Sequence, residues 1–333
     1  MGRNVLGRIL LACGISALLS SGAWAAPKLI KIDGSSTVFP ITEAVAEEFQ
    51  NQQGGNIRVT VGISGTGGGF KKFVRGELDI ADASRPILKK EMDQAKASGI
   101  KFIELPIAFD ALTVMVNPNN NWAKSLTVAE LKSIWAPAAQ GQITNWQQVR
   151  SSFPNAPLKL YGAGSDSGTF DYFTEAIVGK SKSSRGDYTA SEDDNVLVQG
   201  ISTDKNALGY FGYAYYAENK DRLKAVAIAN GKSKPVLPSE ENVLNGSYQP
   251  LSRPIFIYVN AASLARPEVR EFVEFYLEKA PALVQEVKYI PLPGDVYQKG
   301  LARLRAKQTG TVFGGHADVG VTPSDLVSRP LKN

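Results

Sequence analysis

Three short stretches combine hydroxyls with small or flexible residues directly before amphipathic runs: GSSTVFPITEAV from Gly34, SGTGGGFKKF from Ser64 and SDSGTFDYFTEAI from Ser165. Each reads as a turn feeding a helix. The first turn of a helix leaves backbone N–H groups without partners, and the helix dipole makes that end positive. Glycines let a ligand approach the backbone and hydroxyls add donors, so such a turn is an uncharged site for an anion. Any one of them is explained by ordinary N-capping. Three in one chain point instead to loops that meet across a cleft and wrap one small oxyanion, with Ser64 and Thr66 among the donors.

Catalytic chemistry finds little support. The single histidine, His316, stands in the glycine-rich run GGHADVG, which reads as a loop. Ser167 lacks the G-x-S-x-G flank of a nucleophile elbow. The triplet Gly67 to Gly69 lacks the Lys-Ser/Thr pair of a phosphate-binding P-loop. A metal centre would need several carboxylates, since His and Cys clusters are absent, and the acidic run Glu192-Asp193-Asp194 reads as a solvated loop or helix start. The expectation is therefore no catalytic residue, no metal and no cofactor.

The elements around these turns alternate. Leu29 to Ile32, Ile57 to Ile63 and Leu78 to Ala81 read as strands, and helical spacing follows at Ile41 to Phe49, Phe70 to Val74 and Ile87 to Ala97. Strand–turn–helix repetition predicts an α/β protein with mainly parallel sheets. Two long apolar runs, Glu104 to Val116 and Ile255 to Val259, look like crossings between domains. If both are hinge strands, residues 26–107 and 258–333 form one discontinuous α/β domain and residues 108–257 the other.

The 333 residues suit two domains, and 43% hydrophobic with 21% charged residues is ordinary for a soluble chain. Arg3 and Arg8, the apolar run Ile9 to Leu19 and Ala23-Trp24-Ala25 read as a secretory signal over residues 1–25, cleaved after Ala25. Localisation is expected in the periplasm. The only cysteine, Cys13, lies inside that signal and follows too short an apolar stretch for a lipoprotein anchor. Loss of Arg3 and Arg8 takes the 37 Lys and Arg to 35 against 32 Asp and Glu, a mild excess spread over short mixed runs, which argues against nucleic acid as a partner.

With these residues assembled, the chain resembles the periplasmic phosphate-binding proteins of high-affinity phosphate ABC transporters, the PstS family. The resemblance rests on Asp33 to Pro40, Gly62 to Phe73, Ala83 to Pro86, Tyr161 to Phe173, Tyr188 to Gly200 and Ala207 to Tyr213. It implies a two-domain, type II Venus-flytrap fold hinged on two crossing strands, with phosphate dehydrated in the cleft. It also implies a monomer that hands inorganic phosphate to membrane permease subunits. Matched residue by residue, Ser36, Thr37 and the Val38 amide belong to the first turn, Ser64 or Thr66 to the second, and Ser167, Gly168 and Thr169 to the third.

Two positions depart from the pattern. Well-known members carry an Asp, which accepts the phosphate's own proton, where this chain has Ser84, and several carry an Arg where it has Ala163. Arg85 and Arg185 are the candidates for the cationic partner, Asp166 and then Asp82 for the acceptor. The departure at Ser84 keeps another tetrahedral oxyanion, sulfate or molybdate, in view, and a phosphatase on the same fold is the alternative from a different class.

Overall fold

The structure, a computed structural model, describes residues 28–165, 167–316, 318 and 320–332. The expected signal segment with Cys13, and Asp166, lie outside the described residues. From Lys28 the chain runs strand, helix, strand, helix as the spacing predicts. β1 (Lys28–Gly34), α1 (Phe39–Gln52), β2 (Ile57–Ile63), α2 (Gly65–Phe73), β3 (Ile80–Ala83) and α3 (Lys89–Ala97) lead to the 15-residue strand β4 (Phe102–Val116), buried along its whole length. Next come β5 (Ser125–Thr127), α4 (Val128–Trp135), α5 (Trp146–Val149), β6 (Lys159–Ala163), α6 (Gly168–Phe173), β7 (Thr189–Ser191), α7 (Asp194–Thr203), β8 (Ala207–Gly212) and α8 (Tyr213–Glu218). The short strands β9 (Lys224–Ala225) and β10 (Ala227–Ala229) and helix α9 (Glu240–Leu244) precede β11 (Ser252–Asn260). The chain closes with α10 (Pro267–Glu286), α11 (Gly294–Arg305) and α12 (Pro323–Ser328).

The main sheet runs β2-β1-β3-β11-β4-β8-β6-β7, with β9 beside β4; β5 and β10 pair separately. β1 is parallel to β2 and β3, and β6 is parallel to β7 and β8. These are the parallel pairings that α-helical crossovers require. The antiparallel exceptions are the crossings: β11 pairs with β3 and with β4 from Phe102 to Ala111, and β4 then pairs with β8 from Leu112 to Val116. A single extended strand thus belongs to two halves, changing partner between Ala111 and Leu112. The return strand β11 begins at Ser252 and lies wholly within the first half. The expected boundaries were 107/108 and 257/258. The fold is the mixed α/β, two-domain architecture read from the sequence.

This topology sets the carboxyl ends of β1, β2 and β3 against those of β6 and β7. Burial does the fixing. Ile30, Ile32, Val45, Phe49, Phe70 and Phe73 pack under the first half, and Trp135, Phe173 and Tyr210 under the second, where Phe173 stacks on Tyr210 with ring centroids 3.7 Å apart. A buried polar chain anchors the turn after β3: the Ile87 N–H donates to the Tyr258 hydroxyl (2.9 Å), which donates to Glu104 (2.6 Å). Glu104 also accepts from the Val312 amide (2.9 Å), tying that turn to the C-terminal segment.

Candidate anion-binding site

The first turn leaves β1 at Gly34, where a positive φ of 147° and the Asp82 carbonyl, only 2.2 Å from where a Cβ would stand, admit glycine alone. The Thr37 N–H donates to the Ser35 hydroxyl (3.2 Å), which aims the Thr37 side chain inward from the start of α1. In the second turn the glycines admit close packing: a Cβ on Gly69 would come within 2.6 Å of Gly34 Cα. The start of α2 therefore rests directly on the end of β1. Of the two hydroxyls left open by the sequence, Thr66 faces the cleft. Its Oγ1 lies 3.0 Å from Ser84 Oγ and accepts from the Ser84 N–H (3.1 Å). Ser64 turns away and donates to Asp33, whose other oxygen holds Lys72 at 2.6 Å.

From the second half comes the turn 167–169. The Ser167 hydroxyl caps α6 by accepting from the Thr169 N–H (3.1 Å), leaving its own proton to donate. Thr169 Oγ1 lies 3.4 Å from Thr37 Oγ1, so hydroxyls of the two halves meet. Gly168 sits against Ser84 and Thr66: a Cβ there would stand 1.8 Å and 3.0 Å from their side-chain oxygens.

The cation at this meeting point is Arg253, which sequence reasoning missed. It is 1% exposed and stands opposite Asp110 in the β11–β4 pairing. Nε and Nη2 donate to Asp110 Oδ2 at 3.1 and 2.9 Å. Nη1 donates to the Gly168 carbonyl at 2.6 Å, and Nη2 also reaches Thr169 Oγ1 at 3.1 Å and Thr37 Oγ1 at 3.4 Å. Burial pushes the Asp110 carboxyl up, with Arg253 opposing.

The two arginines picked from the sequence are employed elsewhere. Arg185 donates to the carbonyls of Ile134 (3.0 Å) and Ile143 (2.9 Å) and pairs with Asp187 (2.6 Å), which holds that carboxyl down at about 2. It is a buried brace for the loop after α4 and does not enter the cluster. Arg85, beside Ser84, grips Glu91 through both terminal nitrogens at 3.0 and 2.8 Å. Asp82 lies beside Thr42 and Tyr276 under α1, whose hydroxyls bond each other at 3.0 Å, and burial pushes its carboxyl up to about 8. It is not brought to the hydroxyls. Ser36 is half-buried on the first turn and Val38 is buried as the N-cap of α1. The acidic run is a helix start, as the sequence suggested: Asp193 is the N-cap of α7 and accepts from the Asn195 N–H. Glu192 and Asp193 are exposed, with the Glu192 carboxylate packed over Gly164. Asp194 is half-buried, and burial, then the charge of Asp110, push it up to about 7.

Thr37, Thr66, Ser84, Ser167 and Thr169 are all buried, and with Arg253 they form a compact set of donors at three helix starts. A buried guanidinium already neutralised by Asp110 can donate hydrogen bonds to an anion without leaving an uncompensated charge in its absence. Hydroxyls also accept, so a protonated oxyanion can donate to one of them. Among the described residues no group of three or more His, Cys, Asp or Glu is placed to hold a metal.

Comparison with known proteins places the chain in a family. Residues 21–280 match the model of a PBP superfamily domain. The protein SphX of Synechococcus elongatus is 56% identical over 90% of this chain and 88% of its own. The phosphate-binding protein PstS of Staphylococcus haemolyticus is 37% identical over 92% and 96%. Among solved structures, a possible phosphate-binding protein from Planctomyces limnophilus has a TM-score of 0.68 at 51% identity, covering 85% of this chain and 99% of its own. A putative phosphate ABC transporter substrate-binding protein with bound phosphate from Clostridium perfringens has a TM-score of 0.66 at 27% identity, covering 80% and 100%. The chain therefore belongs to the PBP superfamily and, within it, to the phosphate-binding substrate-binding proteins of ABC transporters.

Proposed function

We propose that the protein is an exported, monomeric receptor that binds one inorganic phosphate between its two halves and delivers it to the permease of an ABC transporter, without turning it over. The observation that carries this is Arg253, buried on a crossing strand and bonded to Thr37 of one half and Thr169 of the other. Thr37, Thr66, Ser84 and Arg253 would supply donors from the first half and the crossing strands, and Ser167, Gly168 and Thr169 from the second. The two halves correspond to residues on either side of the β4 and β11 crossings. Residues 1–25 act as the export signal in this reading.

Phosphate is favoured over sulfate because phosphate keeps a proton near neutral pH, and the hydroxyl pair Thr66–Ser84 can accept it. Sulfate has no proton to offer, so the pair could meet it only by turning both hydroxyls to donate, which gives up their mutual hydrogen bond. Equilibrium dialysis of the anion-stripped protein against labelled phosphate, with and without excess sulfate, tests the reading. Retention of one phosphate per chain that sulfate does not displace is expected. Displacement by sulfate would reassign the ligand, and hydrolysis of a phosphate monoester would reassign the class.

A further inference from the structure

A second polar contact spans the same cleft one layer outside the hydroxyl cluster. Arg85 directly follows Ser84 in the first half, and Asp171 lies two residues after Thr169 in the second. Arg85 Nε stands 3.9 Å from Asp171 Oδ2, with the side chains 8% and 9% exposed. The guanidinium is fixed from behind: Glu91 takes both terminal nitrogens and also accepts from the Leu88 N–H (2.8 Å), so Nε is aimed across the cleft. Lys182 Nζ lies 3.6 Å from the other Asp171 oxygen. The pair borders a cavity of about 200 Å³ lined also by Leu88, Tyr172, Glu175, Ser181, Gly315 and His316.

The position of this carboxylate is informative. A bare negative charge two residues beyond Thr169 would repel an incoming anion. Arg85 reaches it only when the halves are together, because one partner belongs to each half. Opening parts the two and leaves each with the partner on its own half, Glu91 and Lys182, so their mutual attraction counts in the closed state alone and shifts the population toward it. Burial limits the screening that weakens exposed pairs. Burial itself pushes the Asp171 carboxyl up, and Lys182 and Arg85 pull the other way.

We propose that Arg85 and Asp171 are a closure latch, a positioning pair that holds the two halves together around the anion without touching it. The ligand arm of its test rests on the phosphate reading above; the scattering arm does not. Phosphate release would be followed by stopped-flow tryptophan fluorescence in wild type, Asp171→Asn, Arg85→Met and the double variant, each checked for a native melt. Each single variant should release phosphate about tenfold faster, the double variant no faster than the quicker single. The preference for phosphate over sulfate should not change, which separates a latch from a ligand. In small-angle X-ray scattering the variants should show a larger radius of gyration than wild type under the same conditions. Wild-type release together with a wild-type scattering profile, or fully additive losses, would overturn the latch. Should Asp171→Asn not fold, Arg85→Met carries the same comparison. If the wild-type protein binds no phosphate, the functional reading fails and scattering alone decides the latch: expansion supports it, identical profiles overturn it.

Discussion

Arg253 and Asp110 stand opposite each other in the pairing of the two crossing strands, and their side chains meet at 2.9 Å with 1% and 0% exposure. The cleft's cation is therefore mounted on a crossing strand and bonded to turns of both halves, to Thr37 in one and to Gly168 and Thr169 in the other. Such a pair contributes little over an apolar substitute, but losing one partner strands a buried charge. Asp110→Ala should lower stability by about 3–5 kcal/mol in urea denaturation. Wild-type stability in that variant would contradict a buried, mutually dependent pair.

The two hydroxyls of the glycine turn should separate cleanly. Thr66→Ala removes a group facing Ser84 across the site and should weaken phosphate binding by roughly 1–3 kcal/mol. Ser64→Ala removes a bond to Asp33 and should leave the affinity nearly unchanged while costing about 1 kcal/mol of stability. Calorimetric titration and thermal melting of both variants check this, and equal losses of affinity would put both hydroxyls on the anion.

Gly168→Ala tests the closed contact. The added methyl would sit 1.8 Å from Ser84 Oγ, a position no closed structure accommodates without moving apart. The variant should melt like wild type without phosphate and lose most of the ligand-induced stabilisation. That stabilisation is about 2.7 kcal/mol for wild type at a hundredfold excess over Kd. An undiminished melting shift with phosphate would show that Gly168 does not abut Ser84 in the bound state.

Asp82 gives stability a pH dependence of defined sign. Its folded carboxyl titrates at about 8 against an ordinary 3.8; burial is the main cause, with the Thr42 hydroxyl opposing and Asp33 adding to it. Between those values the folded state holds a proton that the unfolded chain releases, so this group's contribution falls as pH rises from about 4 to about 8 and is level above. Asp82→Asn should flatten the decline by up to about 1.4 kcal/mol per pH unit in that window. Urea midpoints at pH 5, 7 and 9 suffice, and parallel profiles for variant and wild type would refute the assignment.

Most of the site was legible because its donors are local. A hydroxyl-rich turn before a helix announces itself within ten residues, and Thr37, Thr66, Ser167, Gly168 and Thr169 all lie in such turns. The choice between Ser64 and Thr66 was not legible, since it depends on Asp33 at the end of the neighbouring strand. Arg253 escaped because its partners are 84 to 216 residues away in sequence. A signal was nevertheless present: SRPIFIYVN sets Arg253, and ELPIAFDALTVMV sets Glu104 and Asp110, in apolar runs, and buried charges of opposite sign call for each other. Arg185 misled for the converse reason, its partner Asp187 being only two residues on. The fold followed from strand–helix alternation, whereas the crossing points depend on which strand β4 pairs with at each residue.

Isothermal titration of anion-stripped wild type and Arg253→Met with phosphate tests the central claim most directly. The account predicts one phosphate per chain in wild type and at least a hundredfold weaker binding in the variant, about 2.7 kcal/mol or more. Equal affinity in a folded Arg253→Met protein would remove Arg253 from the anion and contradict the site described here.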